Sequence, residues 1–362
     1  MFSFRTTSLE EQLDRALREG RVGCFCTQNC WDTERRRYMY DIFRDRGNLV
    51  RIFSPRDTEL APVTNHIEFS AEELAGLDAV VVEIQDVGAR YFNYTGDVFR
   101  LMLMLKEMEN APSLYIVDHI NPAGRQVEGT MSEAMFKLAH RHGLTVGEIA
   151  SLVHNDLNAR FPLHVISVSA TPSNRELLPW TIPIAADMPG YFTCSLYSGS
   201  ALWSGTNVTP GIGTTRPYEI FGAPFMESLH NSYKMPPAAD GATLRPCRFQ
   251  PSVGEYAGRQ CFGYQIILEP GASYHALSHA LQLMNFVYRN CEEFSIINDD
   301  DSLGFNDRTL IDLLDDEVLY GYVTGDVEWE TAREHIKEQE QKWIKKARKF
   351  LLYEENQLFR VK

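Results

Sequence analysis

The stretch "AVVVEIQDVGARYFNYTGDVF", residues 79–99, joins an apolar run to a polar tail within a few residues. Four consecutive apolar residues lead into Glu83, Gln85 and Asp86, and Arg90 follows shortly after. In sheets of parallel strands, ligands bind beyond the carboxyl ends of the strands. The apolar part therefore predicts a strand inside a sheet, and its polar tail predicts the lining of a crevice.

Further apolar runs alternate with helical patterns on both sides of this stretch. The other predicted strands are "RVGCFCT" (21–27), "NLVRIFSP" (48–55), "SLYIVDHINP" (113–122) and "LHVISVS" (163–169). Helical periodicity marks residues 99–111 and 144–158, and Thr145 with Glu148 forms a capping-box pattern in the second helix. Strands that alternate with helices predict an α/β fold in which a parallel sheet is covered on both faces.

The composition changes between Pro179 and Pro224, where Pro, Gly, Ser, Thr and aromatic residues are frequent. With 362 residues, the chain is long enough for two domains. The aromatic content predicts an ordered, loop-rich segment that joins them, and such segments commonly carry binding residues. Beyond it, residues 259–270 predict a strand, residues 273–290 a helix and residues 331–353 a charged helix.

The charge balance is acidic, with 35 basic against 49 acidic residues and a formal net charge of -14. Nucleic-acid binding normally needs a basic face that displaces counterions, so no nucleic-acid partner is expected. No run approaches the roughly 18 apolar residues of a membrane span, and the first residues have an amphipathic helical pattern rather than a signal core. We expect no membrane span and a cytoplasmic location for the chain as given, or a periplasmic one if a signal peptide has been removed.

Seven cysteines occur, and Cys24, Cys26 and Cys30 lie close together in sequence. Their spacing invites a metal site, but no second Cys/His pair follows at the spacing of a zinc finger. We therefore favour reduced, partly buried thiols in or just after a strand, a usage that suits a reducing compartment. No metal and no cofactor are expected.

Common catalytic motifs are absent from the sequence. "GIGTTRP" (211–217) lacks the strand–loop–helix context and the Lys of a phosphate loop, and no Ser lies in a Gly-x-Ser-x-Gly turn. His140 and His142 are spaced as two ligands on a strand would be, but a solvated turn before Gly143 is favoured.

Carboxylates remain, because Glu83, Asp86, Asp118 and Glu128 all lie at or just beyond predicted strand ends. Hydrolysis of a glycosidic bond needs one carboxyl group as acid, and a second carboxylate or a substrate acetamido group on the other side. A strand-end Asp also commonly caps the next helix, so the structural alternative stays open. Aromatic residues that could stack on sugars are Tyr91, Tyr94, Trp180, Tyr191, Tyr197 and Trp203, and polar ones that could hold hydroxyls or an acid are Arg90, Arg216, Asn121 and Asn207.

Six motifs occur together in a fixed order. They are "EIQDVGARYFNY" (83–94), "VDHINPAGRQVEG" (117–129), "RHGLTVGEIASL" (141–152), "LPW" (178–180), "SGTNVTPGIGTTRPYEIFGAPF" (204–225) and "CFGYQI" (261–266). With these motifs the sequence resembles the NamZ family of exo-β-N-acetylmuramidases, formerly a domain of unknown function. The resemblance runs from about residue 21 to the C-terminus.

The resemblance implies both a fold and an activity. It implies a Rossmann-like α/β domain with a parallel sheet, here residues 1–185, and a smaller C-terminal α/β domain, here residues 186–362, that starts with a loop-rich cleft segment. The active site is expected in the cleft between them. The implied activity is removal of N-acetylmuramic acid from the non-reducing end of peptidoglycan fragments, with a peptidoglycan-derived sugar or muropeptide as the partner.

The resemblance also assigns roles to individual positions. It implies acid/base or charge-stabilising work for Glu128 and Asp86, and binding of the lactyl carboxylate by Arg90. Glu148 is expected to be a helix-start residue and His142 a turn contact. The positions expected to bind substrate are Gln85, Arg90, Tyr94, Asp118, Asn121, Thr206, Asn207, Thr215 and Arg216.

Six departures from the family pattern fall inside these and neighbouring motifs. They are Arg56 (family Glu), Asp57 (family His), His119 (family Arg), Ser204 (family Glu), Pro210 (family Glu) and Ile212 (family Arg). Acid/base catalysis tolerates little displacement of the reacting group, so a lost acid is not easily replaced by a neighbour. An alternative function is therefore that of a divergent, non-hydrolytic paralogue that binds a muropeptide or an acidic amino sugar.

Overall fold

Ten strands lie in the part of the chain that the structure, a computed structural model, describes. The described residues are 17–32, 36–53, 69–132, 136–167, 182–185, 187–232, 234–297 and 309–353, together with residues 11 and 13. The strands are β1 (Val22–Cys26), β2 (Leu49–Phe53), β3 (Ala79–Glu83), β4 (Ser113–Asp118), β5 (Glu128–Met131), β6 (Ala139–Arg141), β7 (Leu163–Ser167), β8 (Ile220–Ala223), β9 (Ala242–Phe249) and β10 (Cys261–Leu268).

Ten α-helices have their bounds within the same described residues, and residues 11 and 13 are helical as well. The ten helices are α1 (Met39–Arg46), α2 (Ala71–Leu74), α3 (Asn93–Glu107), α4 (Val146–Asp156), α5 (Tyr191–Ser200), α6 (Glu227–His230), α7 (Ala276–Asn290), α8 (Leu310–Leu314), α9 (Glu317–Thr324) and α10 (Trp329–Ala347). Within the described residues, none of the helices combines the length and the apolar content that crossing a membrane requires.

Five parallel strands form the larger sheet, in the order β2-β1-β3-β4-β7. All five match strands predicted from the sequence, so the α/β class with a parallel sheet is confirmed. The chain runs outward from β1 to β2 and then returns past β1 to β3, so the strand order reverses between β1 and β3. Doubly wound sheets of this order bind ligands at that switch point.

Both faces of the larger sheet are covered, as the alternation along β3 shows. Val80 and Val82 are buried in the larger hydrophobic core, to which α3 and α4 contribute. Ala79 and Val81 are buried on the other face, in a core that includes Phe43 of α1. Because successive strand residues point to opposite faces, a strand buried on both sides needs an uninterrupted apolar run. The run that opens residues 79–99 meets this need.

A second, smaller sheet lies in the C-terminal half, where β10 pairs with β8 on one side and β9 on the other, antiparallel to both. Trp203 stacks on Phe221 of β8 with ring centroids 4.6 Å apart, and both side chains are buried. Trp203 is therefore part of the core. The expected smaller C-terminal α/β domain is present, whereas the boundary between residues 185 and 186 stays a prediction.

One helix lies where the sequence favoured loops, since α5 spans "YFTCSLYSGS". Ser, Thr, Cys and Gly are mediocre helix formers, so propensity gave no signal here. Tertiary packing decides the outcome, because every residue of α5 from Thr193 onward is buried. A Cβ atom on Gly199 would overlap the carbonyl oxygen of Ala276, so glycine allows α5 to approach α7 closely.

Candidate active site

The carboxyl ends of β1 and β3 are held together at the switch point. Cys26 and Glu83 are register partners in the two strands. Beyond β1, the backbone N–H of Thr27 and the thiol of Cys30 both donate to the carbonyl oxygen of Glu83, each over 3.3 Å. The polar tail that the sequence marks therefore begins at the sheet edge where this fold class binds ligands.

His119, just beyond β4, pairs with Glu83 at this edge. Its Nε2 atom lies 3.0 Å from Glu83 Oε1, and the His119 side chain is 25% exposed. Burial favours the neutral ring, but the hydrogen bond and the negative charge of Glu83 outweigh it and raise the pKa of His119 to about 9. The position at which the family has Arg thus keeps a positive charge at neutral pH.

Asp86, a predicted catalytic residue, is buried and fully engaged in the turn between β3 and α3. It accepts hydrogen bonds from the backbone N–H of Gly88 and from the hydroxyl of Thr95, each over 2.6 Å. His142 Nε2 lies 3.2 Å from the same carboxylate, while Nδ1 of that ring accepts from the N–H of Leu144. His142 is therefore a turn contact, as expected. The contacts of Asp86 favour a structural role.

Glu128, the other predicted catalytic residue, has no exposed surface and forms an ion pair with Arg141 over 2.6 Å. It also accepts from the Ser198 hydroxyl over 2.8 Å and from the N–H of Leu277 over 3.0 Å. Burial raises its pKa, but Arg141, His275 and these donors together lower it below the ordinary value. A general acid must hold a proton before it can donate one, so this environment does not suit that role.

Arg90 is buried and donates to four backbone carbonyl oxygens. The acceptors are those of Thr130 (2.8 Å), Leu138 (3.3 Å), Leu313 (3.1 Å) and Leu314 (2.6 Å). The last two belong to α8, whose C-terminal carbonyls carry partial negative charge. The guanidinium therefore fastens the N-terminal half to the C-terminal half. Its predicted contact with a lactyl carboxylate stays a prediction.

Asp118 caps the start of α4. Its carboxylate accepts from the N–H of Gly147 over 2.8 Å, from the Thr145 hydroxyl over 2.7 Å and from the Tyr353 hydroxyl over 2.7 Å. Thr145 and Glu148 form the predicted capping box, so Glu148 is a helix-start residue as expected. This is the structural alternative that the sequence left open for a strand-end Asp.

Three further predicted binding residues donate to the main chain. The Gln85 amide donates to the carbonyl of Ile120 over 3.0 Å, and the Tyr94 hydroxyl donates to that of Ile184 over 3.4 Å. The Asn121 amide donates to the carbonyl of the residue before Thr145 over 3.0 Å. Gln85 is half-buried, whereas Tyr94 and Asn121 are buried. The structure therefore brings Gln85 and Asn121 to the β3–α3 turn beside Asp86.

Thr206 and Asn207 lie within the loop-rich segment, and their side-chain contacts are with residues of the C-terminal half. The Thr206 hydroxyl donates to the carbonyl of Trp203 over 2.8 Å. The Asn207 side chain donates to the carbonyl of Glu293 over 2.7 Å and accepts from the N–H of Ser295 over 2.9 Å. These contacts hold residues 293–295 in place.

Thr215 and Arg216 are exposed, and Arg216 pairs with a carboxylate that the sequence reasoning missed. Glu219 lies in the "TRPYE" part of a quoted motif, three residues after Arg216. Arg216 donates to Glu219 Oε2 over 3.3 Å, and the Thr193 hydroxyl donates to Oε1 over 3.1 Å. Burial raises the pKa of Glu219 above its ordinary value, although Arg216 and Thr193 act in the opposite direction. The available signal was an acid spaced i, i+3 from a cation inside a recognised motif.

A run of aromatic rings connects Glu219 with the β3–α3 segment. Tyr218 meets Tyr197 of α5 with ring centroids 4.8 Å apart. Tyr197 in turn lies 6.3 Å from Tyr91 and 6.2 Å from Phe92, both of which follow β3. Thr193 and Tyr197 are four residues apart on α5, so one helix face carries both contacts. The loop-rich segment and the sheet edge thus meet across α5.

Some of the remaining predicted positions lie outside the part of the chain that the structure describes. Arg56, Asp57 and Trp180 lie outside the described residues. Pro210 is buried and its carbonyl accepts from the N–H of Tyr218 over 2.7 Å, whereas Ser204 and Ile212 are half-buried.

The structure contradicts the prediction for the pair of histidines but agrees with the predicted placement of the cysteines. His140 and His142 are buried rather than solvated, and His140 lies on β6, so that expectation was wrong. Burial and the neighbouring Arg90 lower the pKa of His140 well below its ordinary value. Cys24 and Cys26 lie in β1 and Cys30 just after it, as predicted, and all three are buried, rather than partly buried, and outside any disulfide. Cys26, Cys30 and Glu83 together offer donor atoms that could hold a metal ion.

Two family models match the chain and cover both halves of it. The model described as "Exo-beta-N-acetylmuramidase NamZ, N-terminal" matches residues 64–183, and "Exo-beta-N-acetylmuramidase NamZ, C-terminal" matches residues 195–353. The chain is also similar to the peptidoglycan beta-N-acetylmuramidase NamZ of Bacillus subtilis (strain 168), with 28% identity over 234 residues. That similarity covers 60% of this chain and 55% of the relative, so the match spans about half the length of the relative.

Two solved structures share the fold. Both are crystal structures of DUF1343 family proteins from Bacteroides fragilis, with TM-scores of 0.71. They are 19% and 20% identical to this chain and cover 96% of it, while the chain covers 97% and 98% of theirs. At this identity the likeness shows the arrangement of the chain and no more.

Proposed function

The chain belongs to the NamZ family, and on that premise we propose that it is a glycoside hydrolase of the exo-β-N-acetylmuramidase type. Its substrate would be terminal N-acetylmuramic acid at the non-reducing end of peptidoglycan fragments. The observation that carries the proposal is Glu219, a carboxyl group with a raised pKa beside an exposed guanidinium in the cleft segment.

Glu219 has the properties of a general acid. Glycosidases protonate the leaving oxygen with a carboxylic acid whose pKa is raised by its surroundings. Burial does this for Glu219, whose side chain is 8% exposed. Glu128 is its opposite, because the Arg141 ion pair keeps that carboxyl ionised. Glu219 is therefore the better candidate for proton donation, and Asp86 and Glu128 keep their catalytic roles as predictions.

Arg216 supplies a cation for the acidic substituent that distinguishes N-acetylmuramic acid from other amino sugars. Its side chain is 55% exposed, and the 3.3 Å hydrogen bond to Glu219 leaves other donors of the planar guanidinium available to a ligand carboxylate. A bound lactyl carboxylate would share the positive charge that now acts on Glu219. Because that charge lowers the pKa of Glu219, substrate binding would favour its protonated form.

The second catalytic group can come from the substrate. Both oxygens of Asp86 and of Glu128 accept hydrogen bonds inside the protein. An acetamido oxygen of the sugar can take the place of a second protein carboxylate in glycoside hydrolysis. One protein acid and the acetamido group of the substrate would then complete the reaction.

The test is release of a chromophore from its β-glycoside with N-acetylmuramic acid, compared with the matching N-acetylglucosamine glycoside, which lacks the lactyl group. Glu219→Gln should lower kcat by about 10²–10⁴-fold, the usual worth of a general acid. Arg216→Gln should raise KM for the muramic acid substrate and reduce the preference for it. Glu317→Gln, an exposed carboxyl of the same half, serves as the matched control.

A second function, binding without hydrolysis, is favoured by the engagement of Asp86 and Glu128 in internal contacts. Calorimetric titration with N-acetylmuramic acid separates the two proposals. Heat of binding without chromophore release at any pH at which the protein stays folded would support the binding protein and reject the hydrolase. Release by Glu219→Gln at the unmodified rate would reject Glu219 as the acid.

A further inference from the structure

Two thiols and a carboxylate meet at the switch point of the larger sheet. One ligand atom each from Cys26, Cys30 and Glu83 lies within 4.8 Å of the other two, and all three residues are buried. The placement follows from the fold. Cys26 and Glu83 are register partners on neighbouring strands, and the turn after β1 folds Cys30 back over them, with its N–H bonded to the carbonyl of Thr27 over 3.1 Å.

The two carboxylate oxygens of Glu83 have different surroundings. Oε1 lies 3.0 Å from His119 Nε2. Oε2 is buried and has no hydrogen-bond partner among the described residues. A buried carboxylate oxygen without a hydrogen-bond partner is costly, and native proteins rarely contain one. This oxygen has the chemistry of a ligand for a cation.

We propose that Cys26, Cys30 and Glu83 bind one divalent cation of the zinc class. Two sulfur donors and one carboxylate oxygen suit a borderline-soft ion such as Zn²⁺, whereas Mg²⁺ and Ca²⁺ require oxygen ligands. In a tetrahedral site with Zn–S about 2.3 Å and Zn–O about 2.0–2.2 Å, ligand atoms lie roughly 3.5–3.8 Å apart. Side-chain shifts of about 1 Å bring the three donors to that spacing.

His119 completes the surroundings of this site. A hydrogen bond to the outer oxygen of a ligating carboxylate is a usual feature of metal sites and orients the ligand. His119 already provides that contact and is 25% exposed, so it also marks the side from which an ion can enter. Three protein ligands leave a fourth position for water or for the imidazole.

Charge is also balanced in the bound state. Binding would replace two thiol protons by the cation, which leaves two thiolates and one carboxylate opposite a dication and the His119 imidazolium. The site does not depend on the proposed hydrolase activity, because Glu219 and Arg216 form no part of it.

The experiment is titration of the reduced, chelator-treated full chain with Co²⁺, followed by displacement with Zn²⁺ in competition with a coloured chelator. We expect one equivalent to produce the thiolate-to-cobalt charge-transfer band, which Zn²⁺ then removes. Cys26→Ser, Cys30→Ser and Glu83→Gln should each weaken binding by at least tenfold, since even an outer partner of a ligand is worth about 10–100-fold.

Cys24→Ser is the matched control, because Cys24 is a buried thiol of the same strand outside the three-residue cluster. It should keep the band and the affinity. Circular dichroism confirms that each variant is folded. No charge-transfer band in the unmodified protein, or an equal band in a Cys26→Ser/Cys30→Ser double variant, would overturn the proposal. So would a disulfide between the two thiols that persists in the presence of reductant.

Discussion

Arg216 donates to Glu219 across 3.3 Å while more than half of its own side chain faces solvent. The contact joins a buried acid to a cation that a ligand can reach. It also makes the protonation of Glu219 sensitive to whatever Arg216 binds. This contact and the buried contacts elsewhere in the chain lead to five predictions.

Replacing Arg216 should move the alkaline limb of the pH–rate profile. Arg216 lowers the pKa of Glu219, so Arg216→Gln should raise it, and the protonated acid should persist to higher pH. The pH dependence of kcat, measured at saturating substrate, would show the limb shifted upward. The limb of Arg216→Lys should stay close to that of the unmodified protein. A downward shift in Arg216→Gln would exclude Glu219 as the titrating acid.

Breaking the buried pair of Glu128 and Arg141 should destabilise the fold strongly. Arg141→Met leaves a buried carboxylate unpaired and should lower the free energy of unfolding by about 3–5 kcal/mol. An Arg141→Met/Glu128→Leu double variant should recover part of this loss, because no buried charge remains. Urea denaturation measures both. Equal losses in the single and double variants would contradict the assignment.

The same pair should make stability depend on acid pH. The folded-state pKa of Glu128 lies below its ordinary value of 4.5, so the stabilisation is fully present above about pH 4.5. It is lost as the pH falls through the folded-state pKa, because protonation then costs the ion pair. Urea denaturation in buffers below about pH 4.5 should show a steeper decline of the free energy of unfolding for the unmodified protein than for Glu128→Gln. Parallel declines would argue against a lowered pKa.

Gly88 should be intolerant of substitution for two separable reasons. Its φ of 88° is left-handed, and an added Cβ would also overlap the Asn121 side chain and lie 2.6 Å from Ala123 Cβ. Gly254 has a φ of 87° with open space around it, so Gly254→Ala carries the backbone strain alone, about 1–2 kcal/mol. Gly88→Ala should lose clearly more free energy of unfolding than this control. Equal losses would mean that Asn121 moves aside without cost.

The Tyr353 hydroxyl should stabilise the fold through Asp118. Tyr353→Phe removes one donor from a buried carboxylate and should cost about 1.5–3 kcal/mol, the range for hydrogen bonds to charged groups. Tyr288→Phe is the control, since Tyr288 is 43% exposed. Thermal and urea denaturation of the two variants would be compared. An unchanged stability of Tyr353→Phe would show that water replaces the hydroxyl.

The sheet was predictable because each strand carries its own signal. The run of residues 79–82 is apolar on both faces, and a short run rich in β-branched residues is typical of a strand buried on both sides. The helix α5 gave no such signal, because its small polar residues become helical through packing against α7. Local preference is a weak prior that tertiary contacts override.

The carboxyl edge of the sheet was predictable from the sequence, but the contacts that its acidic side chains make were not. The sequence located the carboxyl edge of the sheet correctly, since strand ends follow from the strands. It could not show which carboxylates accept hydrogen bonds from nearby N–H groups, as Asp86 and Asp118 do. Those partners lie in other elements, and their distance depends on the folded backbone. For the same reason, the proximity of Cys30 to Glu83 could not be deduced from spacing.

The guanidinium of Arg90 links the two regions of the chain that the family models match. Its donors cross to the carbonyls of Leu313 and Leu314, and the indole of Trp343 donates back to the carbonyl of His142 over 2.9 Å. Expressed alone, the N-terminal half would lose two of the four carbonyl acceptors of Arg90 and would expose the apolar surface that the C-terminal half covers. We therefore expect members of this family to keep the two halves together in one chain. Either half, transferred alone into another protein, should be insoluble.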